Sequence, residues 1–170
     1  MRGYSKISPA LWDSERFNTL PSDDGRYLYL YLLTSRHQTS AGTYRLPDGY
    51  AATDLRWAPE RYAMAREQLV QADLIRFEAQ TSVVMITRWF KHNPPMNDSH
   101  LKSIEGELER LPSLTLSEAA QKDLELIQDG LDAERLAKAA RKQKAAQSAP
   151  NGHGGPVADR LNTRYMKGRT

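Results

Sequence analysis

Residues 59–89 constrain the fold most, because an amphipathic helix is followed there directly by two strands. Pro59 fits the first position of a helix, where a missing N–H costs nothing. Apolar side chains then recur at three- and four-residue spacing and share one helical face, namely Ala58, Tyr62, Ala65, Leu69 and Ala72. Residues 74–78 and 82–89 have strand composition, and residues 79–81 between them are short enough for a hairpin turn. The pattern predicts a helix over residues 59–72 that precedes an antiparallel hairpin.

The elements before this stretch complete an α+β order. Ser8 and Pro9 predict a first helix, and Ser22 caps a second helix that runs to Thr34. Its alternating Tyr and Leu residues also fit a strand, but the capping residue and the first-turn carboxylates favour a helix. A short strand over residues 43–46 and a brief helix over residues 50–55 follow. The order is that of a winged helix-turn-helix domain, in which the hairpin forms the wing.

This assignment predicts a hydrophobic core. We expect it to contain Trp12, Phe17, Leu28, Leu32, Tyr62, Leu69, Leu74, Val84 and Ile86, or their neighbours on the same faces.

Charge divides the 170-residue chain into regions. The net charge is +2 over residues 1–92, −7 over residues 93–134 and +8 over residues 135–170. Such segregation is typical of segments with different partners. We therefore predict a winged-helix domain over residues 1–96, a helical extension over residues 97–147 that is acidic and then basic, and a disordered, flexible basic tail over residues 148–170.

Several classes of protein are disfavoured. The chain has no cysteine, so disulfides, thiolate nucleophiles and cysteine-based zinc sites are excluded. Neither a nucleophile elbow nor a phosphate-binding glycine loop is present, and the four histidines do not have metal-ligand spacing. We expect no catalytic residue, no cofactor and no metal. Without an apolar run of about 20 residues or a signal-like start, we also expect a cytoplasmic protein with no membrane contact.

Nucleic-acid binding fits the residues better. In a winged helix, the helix over residues 59–72 enters the major groove, and Arg and Gln side chains suit guanine and adenine edges. Its outward face carries Glu60, Met64, Glu67 and Gln71, so a solvated helix face is about as well supported as direct reading. The expected groove contacts are Arg56, Arg61, Arg66 and Gln68. The expected phosphate contacts are Arg76, Arg88 and Lys91 on the hairpin, where charge also protects a sheet edge.

A second basic cluster lies in the helical extension. Lys138, Arg141, Lys142 and Lys144 fall within seven positions. Such a segment can hold DNA through counterion release without sequence preference, although a solubilising role fits the same composition.

Several segments together resemble a known family. They are YSKISPALWDSE, DGRYLYLYLLTS, AGTYRLP, LVQADLIRFE and MITRWFKHNPP, of which WFKHNPP is the most specific. Over residues 4–96 they resemble the N-terminal winged helix-turn-helix domain of phage and prophage replication-initiation proteins, the replisome organisers with DnaD- and DnaT-like relatives. The resemblance implies a role in DNA replication, with binding of origin or single-stranded DNA and self-association into a homo-oligomer. It also implies recruitment of a host helicase or helicase loader.

Two alternatives stay open. A phage transcriptional regulator would have the same fold and read an operator as a dimer. A protein-interaction adaptor would have a winged helix that never touches DNA.

Overall fold

The structure is a computed structural model that describes residues 5 and 7–147. The predicted basic tail over residues 148–170 lies outside the described residues. The chain divides into two compact units, Met1–Asp132 and Ala133–Thr170.

The first unit is α+β, as the sequence predicts. A single 3-10 turn, Pro9–Leu11, precedes the α-helices. The helices are α1 (Glu15–Asn18), α2 (Asp23–Thr34), α3 (Asp48–Leu55), α4 (Pro59–Gln71), α5 (Trp89–His92), α6 (Asp98–Glu109) and α7 (Leu114–Gln147), which continues into the second unit. The strands are β1 (Thr43–Arg45), β2 (Ile75–Glu78) and β3 (Val83–Ile86).

The capping residues, and not the alternation of Tyr and Leu, decide the conformation of α2. Ser22 is extended, and its hydroxyl accepts a hydrogen bond from Gly25 N at 3.2 Å. This cap satisfies one of the free amides at the start of the helix. Leu28, Tyr29 and Leu32 are buried on the inner face of α2, so the prediction of a helix is confirmed.

The sheet is antiparallel with strand order β1-β3-β2. Tyr44 pairs with Val84, which pairs in turn with Phe77, so these three side chains share one face of the sheet. The Tyr44 hydroxyl donates to the Leu32 carbonyl at 2.7 Å and ties this face to α2. Burial raises the pKa of Tyr44.

The second strand of the hairpin is shorter than predicted. β3 ends at Ile86, and Arg88 adopts a left-handed conformation with φ 56° that turns the chain into α5. Trp89 therefore lies in a helix and not in the strand expected over residues 82–89. Its indole Nε1 donates to the Ser40 carbonyl at 2.8 Å, and its ring packs against Gly42.

The core contains the predicted residues with one exception. Phe17, Leu28, Leu32, Tyr62, Leu69, Leu74, Val84 and Ile86 are all buried. The prediction for Trp12 is wrong, because its side chain is 63% exposed. The chain leaves the 3-10 turn at this residue, and the indole makes only an edge contact with Phe17 at a ring separation of 5.6 Å.

The core extends beyond the predicted boundary at residue 96. Ile104 and Leu108 of α6 belong to the same hydrophobic cluster as the helices and sheet before it, as do Leu116, Ala120 and Leu124 of α7. Glu107 of α6 accepts a hydrogen bond from Ala41 N at 2.9 Å, next to the start of β1. The first unit accordingly reaches Asp132.

The described part of the second unit is the end of α7. Its residues up to 143 are exposed, and Lys138 pairs loosely with Glu134 at 3.8 Å. Within residues 5 and 7–147, the longest helices are too polar to cross a bilayer.

Candidate nucleic-acid interface

Helix α4 presents the outward face that its sequence predicts. Tyr62, Ala65 and Leu69 are buried against the core. Glu60, Met64, Glu67 and Gln71 are exposed on the other side, and Met64 is 63% exposed. The N-terminus of α4 has no side-chain cap, so amides of its first turn have no side-chain partner.

Arg61 binds a carboxylate of the first unit. Its Nε and Nη2 atoms donate to the two oxygens of Asp24 at 2.7 and 2.6 Å, and its guanidinium lies 4.4 Å above the Trp57 ring. The hydrogen bond from Arg61 lowers the pKa of Asp24. Fork-like pairing of this kind orients the guanidinium.

Arg66 is more enclosed than Arg61, whose side chain is 49% exposed. It forms an ion pair with Asp48 at the start of α3, and its side chain is only 19% exposed. Its guanidinium also lies 3.9 Å from the centre of the Phe77 ring and 5.5 Å from that of Tyr62. Arg66 therefore joins α3, α4 and β2.

Gln68 lies against the start of α2. Its side-chain oxygen accepts a hydrogen bond from the Ser22 hydroxyl at 2.6 Å. Arg61, Arg66 and Gln68 thus have partners within the fold, whereas their predicted contacts with DNA stay predictions.

Four other predicted contact residues are exposed. Arg56 ends α3 in a left-handed conformation, three residues before the start of α4 at Pro59. Arg76 lies on β2, opposite Met85 of β3. Among the described residues, no side-chain ion pair or hydrogen bond involves Arg56, Arg76, Arg88 or Lys91.

Arg88 and Lys91 do not lie on the hairpin strands, unlike Arg76 of β2. Arg88 and Lys91 lie beyond the end of β3, where Thr87 N donates to the Leu74 carbonyl at 3.1 Å. The hairpin loop over residues 79–82 is at the opposite end of the strands. The prediction that Arg88 and Lys91 lie on the hairpin is therefore wrong, because β3 ends at Ile86 and the left-handed Arg88 turns the chain into α5.

The sequence reasoning missed Arg45, which lies beside the hairpin loop. Arg45 is exposed on β1 and pairs with Val83, while the next residue, Leu46, donates its N–H to the Ser82 carbonyl at 2.7 Å. The alternation of buried Tyr44 with outward Arg45 in the predicted strand is the signal that could have found it.

Three side-chain contacts join α2 and the loop after it to α3 and to the turn that follows α3. The Tyr27 ring packs at a tilt against Trp57 with a ring separation of 5.8 Å, and the Tyr31 hydroxyl donates to Asp54 at 2.9 Å. His37 stacks on Tyr50 at 5.9 Å. Burial raises the pKa of Tyr31, and the hydrogen bond to Asp54 raises it further. These contacts fix the position of the turn that carries Arg56.

The basic cluster of the second unit lies on the exposed end of α7. Lys138, Arg141 and Lys142 are exposed along this helix. The Lys144 side chain lies outside the part of the chain that is described. In residues 5 and 7–147, no three acidic or histidine side chains are grouped as a metal site requires.

No protein-family model matches the chain, and neither a curated protein nor a solved structure is significantly similar to it.

Proposed function

We propose that the chain is a DNA-binding protein whose front part, over residues 1–96, is a winged helix-turn-helix module. The observation that carries the proposal is the element order α2-β1-α3-α4-β2-β3 combined with the strand order β1-β3-β2. In this arrangement α4 is the second helix of the turn motif and the β2–β3 hairpin is the wing. The exposed outer side of α4 is then the surface offered to the major groove.

The phosphate contacts are assigned to groups near the start of α4 and the wing loop. Arg56 precedes α4, whose first amides have no side-chain cap, and a helix N-terminus favours an anion. Arg45 lies beside the loop over residues 79–82. Lys138, Arg141 and Lys142 add a sequence-independent attraction to DNA.

The acidic residues of α4 limit what this surface can read. Glu60 and Glu67 are exposed on the outer face and repel phosphates. Arg61 must leave Asp24 before it can contact a base, and this exchange weakens any gain in affinity. We therefore expect contacts with the DNA backbone to supply more of the affinity than contacts with the bases.

Fluorescence anisotropy with the full chain tests the proposal. A labelled duplex and a single strand of the same sequence are titrated between about 50 and 200 mM salt, the range over which phosphate contacts change affinity strongly. Affinity for the duplex falls as salt rises, and Arg45→Ala with Arg56→Ala is expected to make the negative slope of log K against log salt shallower by about 1.8, because each phosphate contact contributes about −0.9.

The matched control is Lys102→Ala with Lys122→Ala, which removes the same charge from exposed positions on α6 and α7. Its slope should equal that of the unmodified protein. Equal slopes in both double variants would contradict the assigned phosphate contacts. Arg88→Ala with Lys91→Ala is a third arm that tests the sequence-based assignment of those two residues.

We further propose that the protein acts in phage or prophage replication initiation. This role rests on the resemblance of residues 4–96 to replisome organisers, and it includes self-association and recruitment of a host helicase or its loader. Nuclease protection of phage origin DNA separates this role from that of a transcriptional regulator. A regulator that binds as a dimer would protect two half-sites about one helical turn apart.

An interaction adaptor is the second candidate, favoured by the outer face of α4. This face combines Glu60 and Glu67 with the exposed Met64, and the neighbouring Arg61 already has a carboxylate partner. An absence of DNA binding at the lowest salt concentration would support the adaptor over the DNA-binding protein.

A further inference from the structure

A cavity of about 610 Å³ lies away from the outer face of α4. It is bounded by the segment around the 3-10 turn Pro9–Leu11, by α2, and by the chain that leaves β3 and enters α5. Its volume is within the range of about 300–1,000 Å³ that is usual for small-molecule sites.

Eight of the sixteen described residues that line the cavity are apolar. They include Leu11, Tyr29, Leu33, Leu74, Ile86 and Trp89. At about 30 Å³ for each water molecule in the liquid, the space holds on the order of 20 waters. Displacement of the waters that lie against these apolar side chains by the apolar part of a ligand is favourable. The polar lining residues, which include Ser8, Ser14, Thr87 and Asn93, favour a polar group on the same ligand.

The charged side chains on the cavity wall have one sign. Arg16 and Arg88 line it, together with His92, and no described lining residue is a carboxylate. Arg16 is oriented by hydrogen bonds from Nη1 to the Asp73 carbonyl and to the Thr87 hydroxyl, the latter at 3.5 Å. Its Nη1 also pairs with the Asp73 carboxylate at 3.1 Å, so its charge is already partly balanced. Arg88 is exposed and lies at the point where β3 turns into α5.

We propose that this cavity binds an amphipathic organic monoanion, with its apolar body against Tyr29, Leu33 and Trp89 and its anionic group near Arg88 and Arg16. The apolar lining residues select the body, and Arg88, which has no carboxylate partner among the described residues, selects the sign of the head group. The inference does not depend on the proposed DNA-binding function, because it concerns another ligand class and because Arg88 is not one of the phosphate contacts that the proposed function assigns.

Binding of three probes to the full chain tests the inference. The fluorescent anion 8-anilinonaphthalene-1-sulfonate reports occupancy, and decanoate and decyltrimethylammonium compete as chains of equal length with opposite charge. Decanoate is expected to displace the dye at a concentration at least 10-fold lower than the cation. Equal competition by both chains would overturn the assignment of an anionic ligand.

Two variants locate the site. Arg88→Glu should weaken decanoate binding at least 10-fold, whereas Lys102→Glu makes the same charge change on α6 and should leave it unchanged. Leu33→Trp fills part of the cavity and should reduce dye binding, provided that urea unfolding shows a folded protein. Because Arg88 is exposed, its variant keeps the test decisive if Leu33→Trp does not fold.

Two further outcomes refute the inference. The first is the absence of dye binding, and the second is an unchanged decanoate affinity in Arg88→Glu.

Discussion

The substitution Gly42→Ala tests how closely the loop before β1 packs on α5. Gly42 has φ +64°, in the left-handed region. A Cβ atom added there would lie 2.5 Å from both Cδ1 and Cδ2 of Trp89, and closer still to Cγ. The indole is 5% exposed and hydrogen-bonded to the Ser40 carbonyl, so it cannot move aside without losing contacts.

Two costs set the expected magnitude. An L-residue in the left-handed conformation costs about 1–2 kcal/mol. Forcing an extra carbon into a packed site costs about 1–3 kcal/mol. We therefore expect Gly42→Ala to lower the free energy of unfolding by about 2–5 kcal/mol.

Gly49→Ala is the matched control, because it adds the same atom within α3 where nothing lies within 4 Å. It should leave stability unchanged or raise it by up to about 1 kcal/mol, since Ala is the better helix former. Urea unfolding followed by tryptophan fluorescence measures both variants. A Gly42→Ala protein within about 0.5 kcal/mol of the parent, the usual range for neutral surface changes, would refute the packing argument.

Two other predictions concern stability. Arg66→Met should lower the free energy of unfolding by about 1–3 kcal/mol, because it removes the enclosed Asp48 pair and the contact with Phe77. Arg36→Met breaks a pair in which Arg36 is 65% exposed, so a loss equal to that of Arg66→Met would contradict this ranking. Burial raises the pKa of Tyr62 to about 12 from an unfolded value of 10.0, so the unfolded chain ionises first. The contribution of the neutral Tyr62 to the free energy of unfolding is full below pH 10 and falls as the pH rises from 10 to about 12. Urea unfolding midpoints that stay constant over this range would exclude the effect.

Local sequence signals predicted the elements that depend on local chemistry. The Ser22 cap and the apolar face of α4 were sufficient to place α2 and α4. By contrast, Arg88 gives no sequence signal for a left-handed residue, because a positive φ is unusual for any residue except glycine, asparagine and aspartate. The predicted strand therefore continued to Trp89, whereas β3 ends at Ile86.

The surroundings of the candidate interface could not be predicted in the same way. A helical wheel places Arg61 and Arg66 on the flanks of α4, but their partners Asp24 and Asp48 come from α2 and α3. These partners lie 37 and 18 positions away along the chain, so only the tertiary fold brings them close. Arg45 was missed for a related reason, because its position beside the hairpin loop depends on the pairing of β1 with β3.

The short outer strands of the sheet also affect colloidal behaviour. β1 has three residues and β2 has four, and these two strands form the edges of the sheet. An incoming extended chain would gain few backbone hydrogen bonds at either edge and would meet Arg45 on one side or Arg76 and Glu78 on the other. This sheet is therefore a poor template for fibrillar aggregation.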